Sequence, residues 1–205
     1  VTGCGAQVDT EKFTKESGAD LVVANSHKGD LEALIQDFLK GHREHEVHKS
    51  NIFKKADLEA GGGVERSRTR AFLKIQDGCN SFCTFCVIPF ARGKSRSIPV
   101  PELVRRVNEL YSEGIREVVL TGVHIGDYDP GLEDLVESLL ENTPVQRYRI
   151  SSLEPIEVSD RLLELYQEER ICSHFHMSIQ SANTKVLKDM KRQYGQKEVI
   201  ESLEK

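Results

Sequence analysis

Four times after residue 70, a short run rich in β-branched and aromatic residues gives way to a longer amphipathic run. The strand candidates are "RAFLKIQ" (70–76), "REVVLTGV" (116–123), "QRYRISSL" (146–153) and "HFHMSIQ" (174–180). The helix candidates between and after them are "PVPELVRRVNELYSEG" with Gly114 as its stop, "GLEDLVESLLEN", "VSDRLLELYQEE" with Ser159 as its cap, and "NTKVLKDMK". This alternation constrains the fold more than any composition figure does. Parallel strands joined by crossover helices form an open sheet or a βα barrel, and both place working residues at the carboxyl ends of the strands. The expected fold class is therefore α/β, with a partial barrel over 70–205.

The first 41 residues repeat the rhythm on a smaller scale. "VTGC" reads as the end of a strand, "DTEKFTKESG" as a helix stopped by Gly18, and "DLVVAN" as a short buried strand. "DLEALIQDFLK" puts Leu31, Leu34, Ile35, Phe38 and Leu39 on one helical face, with Asp30 as the expected cap. Residues 42–69 hold mixed charge and "GGG" at 61–63, and are expected to be a linker that includes a partner strand. His42, His45 and His48 fall there at helical spacing, but no cysteine or carboxylate pattern completes a metal site, so a solvated connector is the expectation. The chain opens on Val inside a strand pattern and closes inside a helical one, which is the expectation for a piece of a longer protein. No apolar run approaches the roughly eighteen residues of a membrane span, and a cytoplasmic protein is expected. The net charge of −5 excludes a global basic field for nucleic acid. Positive charge is local, in "ERSRTR" (65–70) and "ARGKSR" (91–96).

Five cysteines stand at 4, 79, 83, 86 and 172. An odd count with three crowded together suits metal or redox chemistry better than a disulfide framework. Structural zinc wants four ligands, usually as two pairs. "CNSFCTFC" gives only three, at C-x3-C-x2-C, directly after the first barrel strand. Cys172 falls at the start of a strand, at the opposite end of a barrel, and is expected to be a small buried residue. A four-iron cubane normally takes four thiolates. With three, one iron keeps an open position for a chelating amine and carboxylate, as on the methionine part of S-adenosylmethionine. Phe82 and Phe85, between the cysteines, are expected to shield it.

The loop "DGCNSFCTFCVIP" after "RTRAFLKIQ" resembles that of the radical S-adenosylmethionine methylthiotransferases. So do "VTGCGAQ", "VVLTGVHIGDY", "RISSLEP", "HFHMSIQSAN" and "LKDMKRQY", which together span nearly the whole chain. The set is most similar to the branch that modifies N6-threonylcarbamoyladenosine in tRNA, beside the anticodon. The resemblance implies a radical barrel preceded by the end of a flavodoxin-like domain (1–41). It implies insertion of sulfur and then a methyl group at C2 of the adenine, with two iron–sulfur clusters and S-adenosylmethionine as cofactors. Cys79, Cys83 and Cys86 match the ligands of the radical cluster. Cys4 matches the last of three ligands to the auxiliary cluster, whose other two ligands this chain lacks, so the piece alone is not expected to complete the reaction. Thr121, Gly122 and Val123 match the strand end that offers backbone carbonyls to the methionine ammonium. Ser151, Ser152, Glu154 and Gln180 are candidates for hydrogen bonds to cofactor ribose or substrate base. Arg92, Lys94 and Arg96 are candidates for a cofactor carboxylate or RNA phosphate. His174 and His176, on one strand face, fit stacking or core packing rather than metal binding. The implied partners are tRNA through its anticodon loop, an electron donor protein and a sulfur source. "QSA" stands where the family usually has "QSG", which puts the turn after Gln180 in question.

Three readings follow for function. The first is the tRNA methylthiotransferase. The second is a sister branch, acting on isopentenyladenosine in tRNA or on a ribosomal protein, or another radical enzyme. The third is a zinc-stabilised RNA-binding module, with Cys172 or a histidine as fourth ligand.

Overall fold

The computed structural model describes residues 1–15, 18–41, 46–56, 58 and 69–205. In chain order, β1 (Thr2–Gly3), α1 (Cys4–Val8), α2 (Thr10–Lys15), β2 (Leu21–Ala24), α3 (Leu31–Gly41) and β3 (Glu46–His48) form the amino-terminal unit. β1, β2 and β3 make a parallel sheet in that order, so the partner strand expected within 42–69 is present. His48 therefore lies on a strand and not on a helix, while His42 and His45 fall outside the described residues. Asp30 does not cap α3. A 3-10 segment over Asn25–Asp30 runs directly into the helix, leaving no extended residue there for a cap. The apolar stripe of α3 is only partly covered, with Leu31, Leu34 and Phe38 half-buried and Ile35 and Leu39 exposed.

The second unit begins at β4 (Arg70–Lys74), followed by β5 (Gln76–Asp77), α4 (Ile88–Arg92), β6 (Arg96–Ser97), α5 (Val100–Ser112), β7 (Glu117–Thr121), α6 (Leu132–Asn142), β8 (Arg147–Ile150), α7 (Asp160–Leu165), α8 (Thr184–Asp189) and α9 (Gln196–Glu204). β4, β7 and β8 form a parallel sheet in that order, with Leu73 beside Leu120 and Leu120 beside Ile150. Alternation along these strands sends Ala71, Leu73, Val118, Leu120, Tyr148 and Ile150 to the face that the helices cover. Leu103, Val107 and Leu110 of α5, at spacings of four and three, close over that face. Leu132, Leu135, Val136 and Leu139 of α6 do the same. Ser159 caps α7 as expected, its side chain accepting from the Leu162 N–H at 3.0 Å.

The fourth strand differs from expectation. Residues 174–180 do not form a continuous strand. Among the described residues the segment makes one isolated parallel bridge, Leu153 with Met177, and a second bridge, Tyr148 with Ile171, lies just before it. Between them the chain turns locally, with the His174 N–H donating to the Cys172 carbonyl at 2.6 Å. Phe175 stacks on Tyr166, ring centroids 4.0 Å apart, and His174 and His176 are exposed. Core packing is therefore excluded for both histidines. Cys172 does sit at the amino end of the sheet, its N–H donating to the Tyr148 carbonyl at 2.8 Å, but it is half-buried rather than buried.

Candidate active site

The cysteine loop leaves β5 and returns through β6. The two form a small antiparallel ladder, with Gln76 opposite Ser97 and Asp77 opposite Arg96. The loop is closed at its base by the Cys79 N–H, which donates to the Gly93 carbonyl at 3.2 Å. Gly78, at φ +79°, lies so near Lys94 that a Cβ would stand 2.0 Å from its carbonyl oxygen, so only glycine fits there. The middle of the loop is held from the far side. The Thr84 N–H donates to the Met190 carbonyl at 3.2 Å and its hydroxyl to the Asp189 carbonyl at 3.0 Å.

Cys79, Cys83 and Cys86 share one wall of a cavity of about 190 Å³. The other walls come from the carboxyl ends of β7 and β8 and the segment after Met177. They bring Val123, His124, Ser152, Glu154, Gln180 and Arg192 to the same space. Gln180 holds a left-handed backbone at φ +63°. Thr121, Gly122 and Ser151 stand just behind the rim. The Thr121 carbonyl accepts the Ile75 N–H at 2.9 Å, and the Ser151 N–H donates to the Leu120 carbonyl at 3.1 Å. A Cβ on Gly122 would stand 2.9 Å from the Gln76 side-chain oxygen, so that glycine admits Gln76 to the strand end. Of the two phenylalanines between the cysteines, Phe85 lines the cavity and Phe82 does not. Phe82, at φ +47°, turns away and packs against Phe53 and Phe90, at 6.2 and 5.9 Å between ring centroids.

Four residues that the sequence did not single out organise the site. Gln76 is fully buried. Its oxygen accepts the N–H groups of Val123 at 3.0 Å and His124 at 2.9 Å, and its amide nitrogen donates to the Gly78 carbonyl at 2.8 Å and Ser95 Oγ at 2.7 Å. One carboxamide thus joins the start of the cysteine loop to the end of β7. His124 Nδ1 lies 3.2 Å from Asp127 and 3.7 Å from the Cys79 sulfur, and its Nε2 lies 2.5 Å from Glu157. Burial pulls the imidazole down, but the bonds to Asp127, Cys79 and Glu157 outweigh it and push it up to about 12. Burial pushes the Cys79 thiol up, yet hydrogen bonds from His124 and the Ser81 N–H leave it below its ordinary value. Cys83 goes the other way, raised by burial against the opposing charge of Arg192. Arg192 and Glu154 form a buried ion pair, and burial still raises the carboxyl above its usual range. The fourth residue, Glu157, also accepts the Glu154 N–H at 2.6 Å. A polar strand end, a lone histidine and a helix-end arginine carry no periodic signal. Only the folded chain brings residues 76, 124 and 192 together.

Cys4 opens α1 straight after β1, half-buried and outside this cavity. Arg92 reaches from α4 to Asp77, at 3.0 Å, and also hydrogen-bonds the Cys4 sulfur. Arg96 donates to the Arg92 and Lys55 carbonyls at 2.9 and 3.2 Å, while Lys94 is exposed. The two arginines are therefore committed to joining the loop to its surroundings.

Residues 73–205 match the family model of the Radical SAM superfamily. Over 98% of its length the chain is 40% identical to the threonylcarbamoyladenosine tRNA methylthiotransferase MtaB of Aquifex aeolicus, covering 50% of that protein. It is 36% identical to the MtaB protein of Bacillus subtilis, over 95% of this chain and 45% of that one. It is 27% identical, over its whole length and 48% of the relative, to the tRNA-2-methylthio-N(6)-dimethylallyladenosine synthase of Pseudothermotoga lettingae. The chain spans about half the length of the curated relatives it matches. Among solved structures, it is similar to the radical S-adenosylmethionine methyltransferase TsrM from Kitasatospora setae, solved with cobalamin and a [4Fe-4S] cluster bound. The TM-score is 0.56 at 14% identity, over 65% of this chain and 28% of that one, a likeness of fold.

Proposed function

We propose a function from one premise: the chain belongs to the radical SAM superfamily. It is part of an enzyme that adds a methylthio group to C2 of N6-threonylcarbamoyladenosine in tRNA. The similarity to MtaB proteins at 40% and 36% identity supports that branch over its sisters. The observation that carries the reading is the cavity wall itself, where three cysteines of one pinned loop face residues from the carboxyl ends of two parallel strands.

The donor set fits a cluster better than a single ion. Tetrahedral zinc with bonds of about 2.3 Å would draw its thiolates to roughly 3.8 Å of one another. Among the described residues, the triples with ligand atoms within 4.8 Å are Cys79–His124–Asp127 and His124–Glu154–Glu157. The three loop sulfurs are not gathered so tightly, which speaks against one zinc held by all three. Cys79, Cys83 and Cys86 would hold a [4Fe-4S] cluster, which when bound supplies the electron that splits the sulfonium of S-adenosylmethionine. The chain's own residues position and shield. Phe85 and Val123 give apolar walls, while Ser152, Gln180 and the Arg192–Glu154 pair offer donors and acceptors to a polar cofactor. Thr121, Gly122 and Ser151 act from behind the rim, by fixing the strand ends.

In this reading 1–41 is the carboxyl part of a flavodoxin-like amino-terminal domain, 42–69 a linker and 70–205 the radical core. Cys4 is a ligand of a second cluster, completed by residues outside this chain. The partners are tRNA, an electron donor protein and a sulfur source, in the cytoplasm. Among the described residues no helix is long and apolar enough to cross a membrane. The test is anaerobic reconstitution with iron and sulfide, followed by EPR of the reduced protein with and without S-adenosylmethionine. A cubane signal altered by the cofactor, and lost in Cys83→Ala, is the expected result. Zinc uptake, or a spectrum blind to the cofactor, would overturn the assignment.

A further inference from the structure

Besides Arg92, which bonds the Cys4 sulfur from the loop's own helix, a second side chain joins Cys4 to the cysteine loop. Asn25 follows β2, and its amide nitrogen donates to the Cys4 sulfur at 3.3 Å and to the Ala91 carbonyl at 2.8 Å. Ala91 is fully buried in α4, the helix that ends the cysteine loop. The backbone of Asn25 is itself held, its carbonyl accepting Lys55 Nζ at 3.1 Å. The surroundings leave little play. A Cβ on Gly93, just past α4, would stand 2.5 Å from the Ile52 carbonyl. Buried Gln7, one turn along α1 from Cys4, donates to the Ser50 carbonyl at 3.2 Å and accepts the Ser26 N–H at 2.9 Å.

We propose that Asn25 is a positioning residue that sets the separation between Cys4 and the radical-cluster loop. The inference rests on the reading of Cys4 as a ligand of the second cluster. The chemistry of the side chain suits the task. A carboxamide nitrogen has two hydrogens, so one group serves a sulfur and a carbonyl together. A carboxylate of the same shape has none to give, and sets negative charge against both acceptors. Asn25 does not line the cavity of the three cysteines, so cofactor cleavage there does not depend on it.

The experiment uses the full-length protein, reconstituted anaerobically and given S-adenosylmethionine, reductant and tRNA. Deoxyadenosine released from the cofactor and methylthiolated RNA are measured in the same reaction. In Asn25→Asp, deoxyadenosine release is expected to stay within about twofold while RNA product falls about tenfold or more, the scale of loss for small misplacements of reacting groups. The EPR signal that depends on Cys4 should shift, while the signal that depends on Cys83 stays. Asn25→Ser, which keeps one shorter donor, should show the same split and covers the case in which Asn25→Asp fails to fold. Parallel loss of both products would make Asn25 merely structural and overturn the inference, as would no loss of either. Cys4→Ala separates the premises. If it abolishes RNA product while both Asn25 variants keep it, the inference alone falls. If Cys4→Ala also keeps the product, the reading of Cys4 falls first.

Discussion

Replacing Gln76 by Leu keeps the side-chain volume at the start of β5 but removes every hydrogen bond the carboxamide makes. The Val123 and His124 N–H groups lose their acceptor, and the Gly78 carbonyl loses its donor. Ser95 can rotate its hydroxyl and is not counted. An orphaned buried backbone group costs about 1–3 kcal/mol; the Gly78 bond is buried and the Val123 and His124 bonds are only part-buried, so a loss of about 3–5 kcal/mol is expected. With a urea slope of about 2 kcal/mol/M, the unfolding midpoint should fall by roughly 2 M. Gln76→Glu separates the two arms. It keeps the acceptor for Val123 and His124 but turns an oxygen toward Gly78. The neutral acid can still donate there and the carboxylate cannot, so folding should raise the pKa of the introduced group. A carboxyl raised on folding adds stability below its unfolded value, about 4.3, and loses it as pH rises toward the folded value. Gln76→Glu should therefore approach the parent midpoint in acid and fall away toward neutrality. A Gln76→Leu midpoint within about 0.3 M of the parent would refute the reasoning, because the orphaned groups would then have found other partners.

Glu117 is held below its ordinary 4.5 because Arg147 and Arg149 outweigh the effect of burial. A depressed carboxyl gives stability that is complete above the unfolded value and drains away as pH falls through the folded one. The urea midpoint should thus drop below about pH 4.5, and Glu117→Gln should remove that part of the slope. Arg192→Leu leaves the Glu154 carboxylate buried without its main partner. His124 Nε2 at 3.8 Å offsets part of the loss, so destabilisation near the lower end of about 3–5 kcal/mol is expected in thermal or urea unfolding. Ser159→Ala removes the cap of α7 and should cost about 1 kcal/mol without altering iron uptake.

The parallel sheet and its helices were legible because each obeys one period. Leu103, Val107 and Leu110 mark a helix face, and alternation in "RAFLKIQ" and "QRYRISSL" marks half-covered strands. "HFHMSIQ" shows the same alternation but pairs at a single bridge, Leu153 with Met177, since pairing depends on a neighbour's register and not on a segment's own pattern. Asp30 looked like a cap for a related reason, as local composition cannot tell a helix start from a 3-10 turn that feeds one. The cysteine spacing was legible in full, and the roles of Gln76, His124 and Arg192 were not. Each is an unremarkable polar residue until folding sets it against partners 38 to 48 residues away.

The closed base of the cysteine loop bears on what a lost cysteine would take with it. In zinc fingers and similar small modules the thiolates and their metal set the fold, so removing one ligand removes the structure. Here Gly78, the two-residue ladder of β5 and β6, and the grip of Met190 and Asp189 on Thr84 hold the loop through backbone and hydroxyl groups. None of those bonds uses a thiol. Shape and sulfur chemistry are therefore written in different residues, and a change at one cysteine can alter the chemistry without erasing the loop that presents it.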